Sequence, residues 1–379
     1  MSTGHADLDA LLPPGVRLGV GTDLGGSTRS EVHRHRVLAG PDGWGSSVVV
    51  KRFLPQPPGR RAAMGYERER VGLGRLPGTP HLLGADDGTR TVVMEDLGAE
   101  HPTLADVLLA DGSPQASATA YWQVVEWAAA LGRTVRADPQ VLAAARQELG
   151  PAVAEDRLAR VDLPRSGLER LAEVTGSRSA PGAAAELLDA VERLERDTPR
   201  HVLGPGDACP DNTLLTPDGV RFLDLEGAGV RHLAYEAAYA AEPFSTCWCV
   251  FRPPQGLTHA MLEAFTAAAE QQIPGLVDDP AWPRQVREAV AAWVLSATGW
   301  LMDAALADRV IAPAGRPGPR VRPLLVARWR WVARECRTDL PDVARACDEA
   351  VTWAVRGWGD AASGLPGYPA FAEDGGGRT

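Results

Sequence analysis

The stretch 202–226 constrains the fold of this chain more than any other. It reads as a short apolar run, a loop, a second apolar run, the Pro-Asp-Gly turn at 217–219 and a third apolar run, which together predict a small β-hairpin. Three polar residues lie at the edges of this hairpin, namely Asp207, Asn212 and Asp224. Each of them alone is typical of ordinary turn chemistry, but their joint spacing between strand-like runs indicates a functional site.

These three side chains have the chemistry that phosphoryl transfer requires. A carboxylate followed five residues later by a carboxamide, with a second carboxylate across a turn, supplies a catalytic base and magnesium ligands in phosphotransferases. Mg²⁺ takes oxygen ligands from one or two side chains and completes its octahedron with phosphate and water. We therefore predict that Asn212 and Asp224 hold Mg²⁺ and that Asp207 accepts the proton of an attacking hydroxyl.

The only lysine of the chain, Lys51, marks a second candidate site residue, because every other basic Lys/Arg position is arginine. An ammonium is a compact point charge, whereas a guanidinium is a planar fork, so the two are not interchangeable in a phosphate site. Lys51 lies in the run 47–53, the clearest strand pattern of the first half, which is the context of a phosphate-binding lysine. A helix predicted over 61–76 offers Glu67 and Glu69 as its partners.

A glycine-rich turn is predicted to cover the phosphates of a nucleotide. Two strand-like runs, 16–20 and 31–37, flank Gly25, Gly26 and Ser27. Strand, glycine turn and strand form a flap whose backbone amides can bind phosphate oxygens. A plain hairpin loop is the alternative interpretation of the same pattern.

A further run, 90–94, is followed by the segment 95–98, which predicts a hinge between two lobes. The backbone of this hinge, at Glu95 and Leu97, is expected to bind the edge of an adenine ring. From residue 102 onward the apolar residues follow a helical period, whereas before the hinge they follow strands.

The change of period predicts an α+β chain of two lobes. Residues 1–98 form a small nucleotide-binding lobe of mostly antiparallel strands with one helix, and residues 99–379 form a larger, mainly helical lobe with the catalytic loop and the acceptor pocket. The Gly-rich tail, about 365–379, is predicted to be disordered.

Composition limits the partners of the chain. The formal net charge of −10 argues against a nucleic-acid partner and is compatible with a cationic substrate. The five cysteines have no metal-type spacing, which indicates reduced thiols in a cytoplasmic protein. The first ten residues lack the apolar run of a signal peptide, and the apolar stretch 289–302 is too short to span a bilayer, so no membrane partner is expected. The sequence leaves the oligomeric state open.

The pattern as a whole resembles the aminoglycoside phosphotransferase family, a group of small-molecule kinases with the bilobal protein-kinase-like fold. The resemblance runs from about residue 18 to about residue 240. The segment 207–212 matches the family's catalytic loop, 224–226 matches its metal-binding motif, and Lys51 matches its nucleotide-binding lysine.

The resemblance also implies roles for residues that the spacing leaves open. Glu69 matches the family's helix glutamate better than Glu67 does, and the segment 95–97 matches the nucleotide hinge. Glu236 stands where the family usually has a structural Asp. The family usually has His two residues before the catalytic Asp, and Pro205 occupies that position here.

The function implied is transfer of the γ-phosphate of ATP or GTP to a hydroxyl of a small, amine-bearing acceptor, such as an aminoglycoside-like antibiotic or an amino sugar, and hence antibiotic resistance. Because of Pro205, a pseudokinase that binds a ligand without turnover is the alternative. Nucleotidyl transfer on the same fold is a third hypothesis. Three tryptophans are candidates for stacking on an acceptor ring, with core packing as the alternative: Trp248, Trp293 and Trp300.

Overall fold

The fold is described from a computed structural model, which covers residues 12–41, 43–56, 64–244, 247–313, 315–362 and 364–372. Its first part is a five-stranded antiparallel sheet in the order β1-β2-β3-β5-β4. The strands are β1 (Arg17–Gly26), β2 (Ser30–Ala39), β3 (Ser47–Phe53), β4 (Leu82–Asp86) and β5 (Thr91–Glu95). The first predicted strand is therefore longer than expected and includes Gly25 and Gly26.

The central strand β3 positions Lys51. In the antiparallel register, Lys51 lies between Val32 of β2 and Val92 of β5. Val48 and Val50 alternate with it along the strand and are buried. Because successive side chains of a strand point to opposite faces, Lys51 lies on the opposite face of the sheet from Val48 and Val50.

Among the described residues of this part, one helix, α1 (Gly65–Arg75), packs against the sheet and against the segment that follows Asp224. The contact is close, because a Cβ atom on Gly72 would lie 2.8 Å from Leu225. Glycine therefore lets the helix approach the turn of the other lobe, which a larger residue would block. Of the predicted helix 61–76, the first three residues lie outside the described residues.

The remaining helices form the larger part of the molecule. Two of them begin with both a capping side chain and Pro, at Ser113–Pro114 and at Asp138–Pro139. Ser113, for example, accepts a hydrogen bond from the Ala116 amide, and Pro114 takes the first helical position. The helices are α2 (Leu104–Leu108), α3 (Pro114–Thr134), α4 (Pro139–Leu149), α5 (Pro151–Thr175), α6 (Ala180–Arg196), α7 (Ala234–Ala241), α8 (Leu257–Ala269), α9 (Trp282–Leu306), α10 (Val321–Glu335) and α11 (Pro341–Trp358).

Two short antiparallel pairs lie within this helical part. One pairs β6 (His201–Gly204) with β9 (Gly229–His232), and the other pairs β7 (Thr213–Thr216) with β8 (Gly219–Phe222). The second pair is the predicted hairpin. The α+β architecture, with one helix on an antiparallel sheet and a mainly helical remainder, is confirmed.

Helix α9 is long and apolar enough to cross a membrane by length and composition. Most of its apolar window is buried inside the molecule, as expected for a core helix of the predicted stretch 289–302. Its central residues, among them Val294 and Leu295, are fully buried.

The prediction of a disordered tail is wrong for its described part. Leu365 and Tyr368 are buried, and Gly367 forms a bridge with Arg252. Tyr368 also packs edge-on against Phe244. The glycine content of the tail suggested disorder, but its described part is held by buried side chains and by backbone contacts with residue 252. Residues 373–379 lie outside the described residues.

Candidate active site

The hairpin of β7 and β8 brings Asn212 and Asp224 together. Asn212 ends a short 3₁₀ turn directly before β7, and Asp224 follows β8 by two residues. The Leu223 amide donates a hydrogen bond of 2.7 Å to the Asn212 carbonyl oxygen, which ties the two ends of the hairpin. Asp224 has a left-handed backbone with φ of 56°, a conformation that non-glycine residues adopt mostly at special sites.

The ammonium of Lys51 lies between two carboxylates. Its Nζ donates to Glu69 Oε2 at 3.0 Å and to Asp224 Oδ1 at 2.5 Å. Burial alone lowers the pKa of Lys51, but the charges of Glu69 and Asp224 outweigh it and raise this pKa above its ordinary value. The second candidate partner, Glu67, pairs with Arg90 at 3.3 Å instead.

More negative than positive charge surrounds this point. Glu226 is a third carboxylate beside Lys51 and Asp224, and it also pairs with Arg29 at 2.6 Å. Burial, followed by the charge of Asp224, raises the pKa of Glu226. Burial likewise raises the pKa of Glu69 to about 7, although Lys51 opposes that shift. A bound cation would relieve this repulsion.

A cleft of 470 Å³ opens between the sheet and the hairpin. Its volume lies within the range of about 300–1,000 Å³ that small-molecule sites occupy. Most of the predicted site residues line it: Gly26, Ser27, Lys51, Glu69, Glu95, Leu97, Asn212 and Asp224. Gly25 and Asp207 are not among its lining residues.

The hinge is fixed by side chains rather than left loose. The Asp96 carboxylate accepts two hydrogen bonds from the Arg34 guanidinium, at 2.6 and 2.9 Å, and one from the Ser47 hydroxyl at 2.6 Å. The Glu95 carboxylate is also occupied, by Arg221 at 2.9 Å. The Glu95 amide is engaged as well, because it donates a hydrogen bond of 2.9 Å to the His81 carbonyl oxygen.

Asp207 lies beside the cleft and is held by two donors. Its Oδ1 accepts hydrogen bonds from the Tyr239 hydroxyl at 2.8 Å and from the Cys209 thiol at 2.9 Å. A Cβ atom on Gly227 would lie 3.2 Å from the Cβ atom of Asp207, so the loop touches the turn that follows Asp224. Sequence reasoning missed Tyr239; its signal is the i, i+3 spacing from Glu236, which places both on one helix face.

The loop before Asp207 is supported from below by Glu236. This buried carboxylate accepts a hydrogen bond of 3.3 Å from the Gly206 amide, and its other oxygen lies 3.5 Å from Arg231. Burial raises the pKa of Glu236. His201 does not take the place of the missing loop histidine, because its ring contacts the Leu194 carbonyl oxygen at 3.3 Å.

A second cavity of 120 Å³ adjoins the loop that carries Asp207. Gly206, the residue before Asp207, and Tyr239, which binds Asp207, both line it. Trp293 and Trp300 also line it, with ring centroids 6.4 Å apart. The third candidate, Trp248, lies elsewhere, since its indole nitrogen donates to Asp211 at 2.8 Å.

Comparison with known proteins agrees with this architecture. The sequence model of the phosphotransferase enzyme family (APH) matches residues 29–284, which is more than half of the chain. No curated relative matches the chain. The chain therefore belongs to the phosphotransferase enzyme family, and it is a phosphotransferase that acts on a hydroxyl acceptor.

Solved structures with a similar course of the chain share little sequence with it. A choline kinase from Cryptosporidium parvum is 10% identical, with 93% of each chain covered and a TM-score of 0.48. A choline/ethanolamine kinase family protein from Mesorhizobium loti is 15% identical, with 88% of this chain and 93% of that chain covered and a TM-score of 0.48. A streptomycin–ATP complex of APH(2")-IIa is 11% identical, with coverages of 80% and 89% and a TM-score of 0.42. The family assignment rests on the sequence match alone.

Proposed function

We propose that this protein is a small-molecule kinase that transfers the γ-phosphate of ATP, or of GTP, to a hydroxyl of a small acceptor. The observation that carries the proposal is the convergence of Lys51, Glu69, Asn212 and Asp224 in one cleft, with Asp207 at its edge. Residues from four separate segments have no structural need to meet at one solvent-accessible point.

Each of these residues has a role in the proposal. Lys51 binds the nucleotide phosphates and is oriented by Glu69. Gly26 and Ser27 lie over the phosphates, and Gly25 supports that turn with its positive φ of 95°. The backbone at Glu95 and Leu97 holds the adenine edge. These contacts position the γ-phosphate, which is most of what a phosphotransferase must do.

The donor set of the cleft fits Mg²⁺. Asn212 and Asp224 offer a carboxamide and a carboxylate oxygen, which a hard cation prefers, and Glu226 adds negative charge nearby. When bound, Mg²⁺ would neutralise the charge that develops on the phosphate oxygens. Asn212 and Asp224 are the residues that would hold it, since the hairpin fixes both at one edge of the cleft.

The acceptor is proposed to reach Asp207 from the second cavity. Asp207 then takes the hydroxyl proton, while the Tyr239 hydroxyl positions the Asp207 carboxylate by its hydrogen bond to Oδ1. The cavity volume of 120 Å³ favours a compact compound, such as an amino sugar, over a large aminoglycoside. An amine-bearing acceptor is supported by the net charge of −10 and by the ring of Trp300, whose face can attract an ammonium group; Arg328 already lies over the ring of Trp293, 4.9 Å from its centroid.

The second candidate function is a pseudokinase, and Pro205 is the observation that favours it. Two contacts argue against it. The Gly206 amide is bound by Glu236, and Asp207 is bound by Tyr239, so the loop is held at two points without a histidine.

Turnover measurements on two variants decide between these functions. Wild-type protein, ATP, Mg²⁺ and a panel of hydroxyl compounds should give ADP and a phosphorylated acceptor. Asp207→Asn should lower kcat by about 10²–10⁴-fold with nearly unchanged nucleotide affinity, because a general base acts in the transition state. Asp218→Asn, in the exposed turn of the same hairpin, should keep wild-type turnover.

Two outcomes would contradict the proposal. Background turnover in both wild type and Asp207→Asn, with an acceptor shown independently to bind, would leave the pseudokinase. Formation of AMP and pyrophosphate instead of ADP would indicate nucleotidyl transfer.

A further inference from the structure

Three of the chain's five cysteines meet beside the catalytic loop, although they are far apart in sequence. Cys209 belongs to the loop itself, and Cys247 and Cys249 come from the segment between α7 and α8. The Sγ atom of Cys247 is 2.9 Å from that of Cys249 and 3.1 Å from Asp211 Oδ1. Cys209 Sγ, Cys247 Sγ and an Asp211 oxygen all lie within 4.8 Å of one another.

We propose that this thiol cluster, defined as Cys209, Asp211, Cys247 and Cys249, binds a thiophilic metal ion such as Zn²⁺. Structural zinc sites are tetrahedral, with zinc–sulfur bonds of about 2.3 Å, so ligand sulfur atoms lie about 3.8 Å apart. Three ligand atoms, from Cys209, Asp211 and Cys247, already lie within 4.8 Å of one another, and Cys249, whose Sγ is 2.9 Å from that of Cys247, is the fourth candidate ligand.

The ligand types separate this site from the magnesium site proposed in the cleft. Thiolates are soft ligands that select Zn²⁺, Cd²⁺ or Cu⁺, whereas the oxygen atoms of Asn212 and Asp224 suit Mg²⁺. The two sites therefore compete little for the same ion, even though Asp211 and Asn212 are neighbours in sequence.

The surroundings of the cluster are arranged like the outer shell of a metal site. The indole nitrogen of Trp248 donates to Asp211 Oδ2 at 2.8 Å, which leaves Oδ1 directed at Cys247. Hydrogen bonds of this kind orient a ligand carboxylate. The three thiols are buried, but Asp211 is partly exposed, so an ion has a route from solvent through this carboxylate.

Metal binding at the cluster is expected to slow turnover, a consequence that rests on the proposed role of Asp207. The Cys209 thiol donates a hydrogen bond of 2.9 Å to Asp207 Oδ1. A metal-bound thiolate has no proton to donate, so Asp207 would lose its hydrogen bond from Cys209. Hydrogen bonds to charged groups are strong enough for a loss of about tenfold in kcat.

Optical titration with Co²⁺ tests the site without any activity measurement. Cobalt bound by thiolates in a tetrahedral site gives intense visible and near-ultraviolet absorption that octahedral cobalt lacks. Full-length protein, purified without metal and kept in excess Mg²⁺, should bind one Co²⁺ per chain with this absorption, and Zn²⁺ should displace it. Absence of the tetrahedral thiolate spectrum would overturn the proposal.

Two sets of variants locate the binding. Cys336→Ala/Cys347→Ala removes the two buried thiols outside the cluster and should keep both the spectrum and the basal turnover. Cys247→Ala should abolish the spectrum, as should Asp211→Ala combined with Cys249→Ala if the first variant folds poorly by circular dichroism. A spectrum that survives in folded cluster variants would place the metal elsewhere and contradict the proposal.

Turnover in the presence of Zn²⁺ tests the consequence separately. Zn²⁺ should lower kcat of the wild type about tenfold and have a much smaller effect on Cys247→Ala, in which any zinc bound at the cleft would still act. Equal inhibition of both proteins would contradict the link to Asp207. If no protein turns over any acceptor, the proposed function fails, but the cobalt spectrum still decides whether the thiol cluster is a metal site.

Discussion

Arg68 and Glu69 are neighbours on α1, and each forms a buried ion pair on a different side of the helix. Glu69 pairs with Lys51 at 3.0 Å, and Lys51 reaches on to Asp224, whose side chain is 39% exposed in the cleft. Arg68 pairs with Asp156 of α5 at 2.5 Å, with side-chain exposures of only 0% and 5%. We call the pair of Lys51 with Glu69 and Asp224 the open pair, because Asp224 is exposed to solvent. We call the pair of Arg68 with Asp156 the sealed pair, because both side chains are buried.

The difference shows that exposure to solvent, and not the presence of a buried ion pair, distinguishes a candidate ligand-binding pair from a structural pair. Arg68 donates a second hydrogen bond to the Ala228 carbonyl oxygen at 3.2 Å, so it fixes α1 to the helical part of the molecule. Arg68 is fully buried and lines neither cavity, and Asp156, which lines the second cavity, is only 5% exposed. In the proposed function, Lys51 exchanges a carboxylate for a phosphate when a nucleotide binds. The sealed pair therefore sets the position of the helix from which Glu69 orients Lys51.

The largest effect is expected when the open pair loses Asp224. Asp224→Ala should lower Mg²⁺-dependent turnover by about 10³-fold or more, because both a metal ligand and a partner of Lys51 are removed. Thermal unfolding should show a melting temperature within about 4 °C of the wild type, since Lys51 keeps Glu69. Asn tolerates the left-handed backbone of position 224, whereas Ala does so less readily. Asp224→Asn therefore removes the charge without adding backbone strain, and it distinguishes these two effects. Normal Mg²⁺ dependence in both variants would mean that the hairpin does not hold the metal.

The sealed pair should respond in the opposite way. Asp156→Ala leaves the Arg68 guanidinium buried without its carboxylate, which costs about 3–5 kcal/mol of unfolding free energy. Denaturant unfolding measures this loss, and turnover of the folded fraction should fall much less than in Asp224→Ala. Arg68→Met/Asp156→Leu removes both charges and should recover most of the stability. If Asp156→Ala is as stable as the wild type, the pair does not fix α1.

The open half of this comparison was predictable from sequence. The spacing of Asp207, Asn212 and Asp224 around a turn, and a single lysine on a strand, depend on local chain geometry that a hairpin and a strand determine. Family resemblance added the choice of Glu69 over Glu67, which spacing alone left open. The structure places Glu69, and not Glu67, beside Lys51.

The sealed pair and the thiol cluster were not predictable, and the reason is physical. Arg68 and Asp156 are 88 residues apart, and Cys209 and Cys247 are joined by the packing of segments from different parts of the helical lobe. No short-range period records such contacts. The burial of Tyr368 in the tail could not be predicted for the same reason, because it depends on partners distant in sequence, such as Phe244.

The smallest effect expected is a pH dependence that only the open pair contributes. Burial raises the pKa of Glu69 to about 7, and Lys51 is oriented by the ionised form of this carboxylate. As the pH falls below about 7, Glu69 takes up a proton, and kcat/KM for the nucleotide should fall by up to about tenfold per pH unit. Glu69→Gln cannot ionise, so it should be slower near pH 8 but flatter between about pH 6 and about pH 8.

The pH dependence of stability that Glu69 contributes has the opposite sign to that of activity. The raised pKa of Glu69 can therefore be checked by two independent measurements. Its pKa rises from 4.5, the ordinary value, to about 7 on folding, so between these two values the folded protein binds more protons at this site than the unfolded chain. The contribution of Glu69 to the free energy of unfolding therefore falls as the pH rises from about 4.5 to about 7, and stays constant above. Denaturant unfolding of the wild type and of Glu69→Gln across this range measures the difference. Parallel pH profiles of activity and stability in the two proteins would show that Glu69 is ionised throughout, and that its pair with Lys51 is as fixed as that of Arg68 with Asp156.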